Sequence, residues 1–239
     1  MCWSAEVSTV FSVSNIALSS LLWVRNNQRD RWYVLAVSPI VIQELCQIVL
    51  WKYIGQSPFS CGGTNRLFSL IVVLSVSLIP LTWTLFSIYG PKDAEYRFRR
   101  FKKPILLTAA MYTVARFLLT INSYLFGPQI GTFVGPNYHQ VWADFLPYYN
   151  SDLITVVMAI LYIGIPVLSG YLFIRPRWVG AMLISIAIVT LVPTRLMLPL
   201  EWRSVWCWLC CLYLLFAVAE GGIKKVSSCK GGKHDTARR

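Results

Sequence analysis

Glu44 is the residue on which chemistry in this chain would turn. It stands in Val41-Ile42-Gln43-Glu44-Leu45-Cys46-Gln47-Ile48-Val49-Leu50-Trp51, a segment otherwise apolar enough to cross a bilayer. An ionisable side chain at such a place costs about 2.5–3.5 kcal/mol on insertion scales, so it calls for a partner or a task. On a helix Glu44 and Gln47 share a face at i,i+3, and Gln43 lies one turn from Gln47. Two more charges, Arg116 and Arg195, also fall inside apolar runs, Arg116 within an i,i+4 stripe of Thr108, Tyr112, Arg116 and Thr120. Arginine can hold a carboxylate in a bidentate fork, and the surplus cation would then suit an anionic ligand group. Glu201, with Trp206 after it, and Asp152 stand at the mouths of later segments. The plainer alternative is an ion pair that only glues helices, and Arg195 is near enough to an interface to snorkel outward.

The elements that must position these residues are apolar runs of about 18–22 residues, the length of a membrane-crossing helix. Across 239 residues, 56% hydrophobic and only 13% charged, they leave room for seven spans and no separate soluble module. The expected fold is an all-α polytopic bundle of seven transmembrane helices over residues 1–220, followed by a basic, disordered tail at 221–239. The spans are expected at Val7–Val24, Trp32–Trp51, Leu67–Ile88 (kinked at Pro80), Pro104–Asn122, Asp152–Ile174, Trp178–Leu198 and Ser204–Ala219. In the first, Ser4, Ser8, Ser12, Asn15 and Ser19 form one small polar face suited to close helix packing. Ser123–Ser151 is the longest loop, aromatic and without Lys or Arg.

Charge sets orientation. Taking alternate sides, one side collects 17 Lys and Arg and the other only Lys52, Arg66 and Arg203. Under the positive-inside rule the N-terminus is outside and the C-terminus cytoplasmic. The net charge of +12 then reads as topology and contact with anionic membrane lipids rather than nucleic acid. Counted from the inner ends of their spans, Glu44 and Arg116 both lie about 18 Å deep and Arg195 about 24 Å, all in the outer half.

Cys2 and Cys61 fall on the outer side, where a disulfide could tie the N-terminus to the loop after the second span; two thiols are the alternative. His139 and Trp142 lie in the long outer loop, where an exposed histidine and an interfacial tryptophan are the ordinary readings. No span contains lysine, which excludes a retinal Schiff base. No zinc spacing, His-Glu-x-x-His or Gly-x-Ser-x-Gly occurs, so neither metal nor cofactor is expected.

Several short motifs in order carry a resemblance: Met1-Cys2-Trp3-Ser4, Glu44-Leu45-Cys46-Gln47, Cys61-Gly62-Gly63-Thr64-Asn65, and Glu201 with Trp206-Cys207. More loosely, His139, Trp142, Pro147, Tyr148 and Asn150 follow the same order. The set resembles an uncharacterised family of multi-pass membrane proteins that begin Met-Cys-Trp-Ser. The resemblance covers residues 1 to about 215 and implies a multi-pass architecture and a shared set of motif residues, among them Trp3, Ser4 and Asn65. It implies no reaction.

The function expected is binding or transport of a small anionic or lipid-like ligand in an outward-facing polar cavity. Glu44 and Gln47 would line it, with Arg116 and Arg195 as counter-charges and Glu201 and Trp206 at the rim. The alternatives are an intramembrane lipid-directed enzyme using Glu44 as acid or base, helped by His139 or Asp152, and a purely structural assembly factor.

Overall fold

The computed structural model describes residues 4–25, 27–55, 61–90, 96–127, 131–135, 140–141, 152–174, 180–181, 184–185, 215 and 218. These are mostly helical: α1 (Ala5–Val24), α2 (Gln28–Lys52), α3 (Gly63–Tyr89), α4 (Lys102–Phe126, entered through a 3-10 helix at Tyr96–Phe101) and α5 (Asp152–Phe173). Four helical stretches, those of α1, α2, α3 and Phe98–Phe126, are long and apolar enough to cross a membrane. A small antiparallel hairpin, β1 (Phe133–Val134) with β2 (Gln140–Val141), interrupts the helical pattern. The two last expected spans fall almost wholly outside the described residues, as does the tail.

Helix starts follow local chemistry. Ser4 Oγ accepts from Val7 N at 3.3 Å and opens α1, and Asn27 Oδ1 accepts from Arg29 N at 3.3 Å and opens α2. α1 to α4 begin two to four residues earlier than the apolar runs do, because caps and first turns are polar, while α5 begins at Asp152 as expected. α3 is continuous through Pro80 and α2 through Pro39.

α3 is the middle of the described bundle. It packs on α2 along one side and on α4 and α5 along another, while α1 packs on α2. The tightest core lies at the α1–α2 turn end, where Leu22, Tyr33, Ala36, Val37, Ile40, Phe86 and Ile174 pack together. Tyr33 and Phe86 meet edge to face at 4.9 Å, and Thr82 Oγ1 donates across to Ala36 O at 3.2 Å. By contrast α1 and α4 turn apolar stripes outward: Val10, Val13, Leu21 and Val24 on the first, Leu107, Met111, Val114, Leu118 and Leu125 on the second. Such unpartnered stripes are compatible with contact to lipid.

The α1–α2 turn is closed by an ion pair. Arg25 grips the buried Asp30 through Nε to Oδ2 at 2.5 Å and Nη2 to Oδ1 at 2.8 Å, and its Nη1 donates to Val218 O at 3.3 Å. One guanidinium thus fixes the hairpin and ties it to a residue far along the chain. Asp30→Asn keeps the shape but loses the charge-assisted fork. It should lower stability by about 2 kcal/mol, read as an earlier thermal unfolding transition of the detergent-solubilised protein.

Candidate functional site

Glu44 is only 2% exposed, and its neighbours Gln43 and Gln47 are fully buried. The inward orientation expected for Glu44 and Gln47 is therefore what the structure shows. Three contacts set the antiparallel register of α2 on α3: Tyr33 with Phe86, Thr82 with Ala36, and Asn65 with Tyr53. Stepping along that register places Glu44 level with Leu74 and Ser75 of α3. On the other flank, counting from the Arg25–Asp30 turn puts Ser12 of α1 level with Gln43, and Ser8 level with Gln47.

This level is where hydrogen-bonding capacity goes unmet. Among the described residues, Glu44 Oε1, both amide atoms of Gln43, and the hydroxyls of Ser8 and Ser12 are buried without a partner. An unmet buried polar group costs about 1–3 kcal/mol, and native proteins hold few of them. Five such atoms on two packed helices, one of them from a carboxyl group, form a polar level with acceptors and donors to offer. No set of three metal-ligating side chains occurs among the described residues.

The hairpin packs over the C-terminal end of α2, next to this level. Gln140, fully buried on β2, donates through Nε2 to Gln47 O at 3.3 Å, while its Oε1 has no partner among the described residues. A polar latch holds β1. Asn65 Nδ2 donates to Tyr53 O at 2.9 Å and Thr132 O at 2.8 Å, and its Oδ1 accepts from Thr132 N at 2.8 Å and Ser69 Oγ at 3.2 Å. Ser69 Oγ also meets Thr132 Oγ1 at 2.7 Å. Both ends of the Asn65 amide are thus saturated, which gives this motif residue a physical task. Gly131 has to be glycine: a Cβ there would collide with Asn65 Oδ1 and lie 2.5 Å from Cys61 Cβ. Val134 N donates to Gly55 O at 3.1 Å and joins the strand to the end of α2.

Cys61 belongs to the same latch, its thiol donating to Thr132 O at 3.4 Å. Burial pushes the thiol up from its ordinary range, against the pull of hydrogen bonds from the Gly55 and Gly131 backbone. It therefore stays a thiol, the form that can donate, at neutral pH. Cys2, its expected disulfide partner, lies outside the described residues.

Arg116 does not join Glu44. The Thr113 hydroxyl donates to Ser77 O at 3.2 Å and Arg66 Nη2 to Tyr124 O at 3.2 Å, which set the register of α4 on α3 and bring Arg116 level with Leu74. Glu44 and Arg116 thus share a level along α3, while α4 packs on α3 and α5 and α2 on α3 and α1, and no ion pair joins the two charges among the described residues. Arg25 with Asp30 is the one ion pair formed among the described residues. Arg195, Glu201, Trp206, Trp3, His139 and Trp142 lie outside the described residues, and Ser4 serves as the α1 cap.

The residues that sequence reasoning missed are Gln43 as an orphaned amide, and Thr132, Gln140 and Gly131 in the long loop. A glutamine beside Glu44 was visible; the loop residues carry no local signal, because their partners are distant in sequence.

No protein-family model matches the chain, and no solved structure matches it. Among curated proteins, an uncharacterized protein of Acanthamoeba polyphaga mimivirus is 24% identical over 243 residues, spanning 92% of this chain and 95% of the relative.

Proposed function

We propose that the chain is a seven-span membrane protein, N-terminus outside, that binds or transports a small ligand in an outward-facing polar chamber built around Glu44. The observation that supports this most is the buried, unmet hydrogen-bonding capacity of Glu44 Oε1 and the Gln43 amide, level with Ser8 and Ser12. The asymmetry of loop Lys and Arg supports the span count and orientation. With no ion pair between Arg116 and Glu44 among the described residues, the chamber favours a ligand that donates hydrogen bonds to the carboxyl group, such as an amine or a polyol, over an anion.

Glu44→Gln tests the reading, since it preserves shape but exchanges one acceptor oxygen for an NH2 donor and removes the ionisable group. The purified protein is screened by thermal unfolding against amino acids, polyamines and sugars. A compound that raises the wild-type transition should lose most of its effect on Glu44→Gln, while the unliganded variant unfolds close to wild type. Equal responses of both proteins to every stabilising compound would remove Glu44 from the site.

A further inference from the structure

We infer that the α3–α4 face holds a second site, for the oxygens of an anionic group, formed by Arg116, Thr120, Ser123 and Arg66. At 3.6 residues per turn Arg116 lies on the opposite side of α4 from the outward stripe of Leu107, Met111, Val114, Leu118 and Leu125, so it points into the bundle rather than to lipid. Thr120 is fully buried and Ser123 is 4% exposed, and neither hydroxyl has a partner among the described residues. The same holds for the buried Nε atoms of Arg116 and Arg66.

The register makes these four a track. Arg66 sits level with Tyr124, donates to its carbonyl, and stacks on its ring with Cζ 5.0 Å from the centroid. Arg116 lies eight residues further along α4, about 12 Å deeper, with Ser123 and Thr120 between the two arginines. All the unmet groups here are donors or can donate, and neither α3 nor α4 contains an Asp or Glu. A guanidinium turned inward at membrane depth with no carboxylate paired to it among the described residues needs a counter-anion, and its planar fork fits phosphate or carboxylate oxygens. The site lies on the α3–α4 face and the Glu44 chamber on α2, with no ion pair between Arg116 and Glu44 among the described residues.

The oxygens can come from a lipid headgroup or from a free anion, and two probes tell these apart. The full-length protein in dodecyl maltoside is titrated with dioleoyl phosphatidic acid and, separately, with inorganic phosphate, following thermal unfolding and native-mass adducts. One or both should stabilise the wild type, with roughly tenfold weaker binding in Arg116→Gln and partial recovery in Arg116→Lys. Stabilisation by phosphatidic acid alone assigns the site to lipid, and stabilisation by phosphate assigns it to a soluble anion. Without either probe, Arg116→Gln should unfold no earlier than wild type, since it discards an unpaired charge. Failure of both probes to distinguish wild type from Arg116→Gln would overturn the proposal. So would rescue of a destabilised Arg116→Asp by Asp152→Arg, which would make Asp152 the arginine's partner.

Discussion

Asn65→Leu should detach the hairpin and lower stability by about 3–5 kcal/mol, the sum expected when one saturated amide leaves several buried groups unmet. The side chain contributes four hydrogen bonds, to Tyr53 O, Thr132 O, Thr132 N and Ser69 Oγ. A leucine of similar volume satisfies none of them, and the stranded carbonyls and N–H lie where water has no easy access. Asn65→Asp keeps the acceptor and loses both donors, so it should fall between leucine and wild type. Gly131→Ala attacks the same latch by steric overlap with Asn65 and Cys61 and should mimic it. Hydrogen exchange at Thr132, Val134 and Val141, alongside thermal unfolding in detergent, reads both effects. Unchanged protection in Asn65→Leu would mean that the hairpin is seated by something else.

Gln43→Leu and Glu44→Leu should act in the opposite direction. The first removes both atoms of the Gln43 amide and the second Glu44 Oε1, all buried and unmatched among the described residues, so each should raise stability by about 1–3 kcal/mol. The two sites adjoin and their gains should not add fully. Both variants should lose any ligand-dependent stabilisation that the wild type shows. The sign decides between readings. If the polar groups serve only to lock helices together, the same substitutions break the lock and destabilise.

Depth was legible in the sequence; azimuth was not. Counting residues from the ends of apolar runs put Glu44 and Arg116 at one level, and the helix registers place both beside Leu74 of α3. Nothing in the count says which helix stands between two others, so a shared interior did not follow. The inward turn of Glu44 was legible because a carboxylate within an apolar run has few tolerable orientations. The early starts of α1 and α2 were written in Ser4 and Asn27, which cap helices whose apolar stretches begin later. The hairpin was not legible: its two-residue strands are too short for alternation to register, and its seat lies on α2 and α3. Asn65 stood out through the resemblance alone, since its partner Thr132 is 67 residues away.

That separation has a consequence for how the protein is made. α2 and α3 emerge from the ribosome well before the segment that covers the end where α2 stops and α3 starts. Until Thr132 and Gln140 have been synthesised, Asn65, Ser69 and the Gln47 carbonyl have no hairpin to meet. The early helical pair therefore presents an unmatched polar end until that loop has been made. Its maturation is timed by the arrival of a loop rather than by the helices themselves.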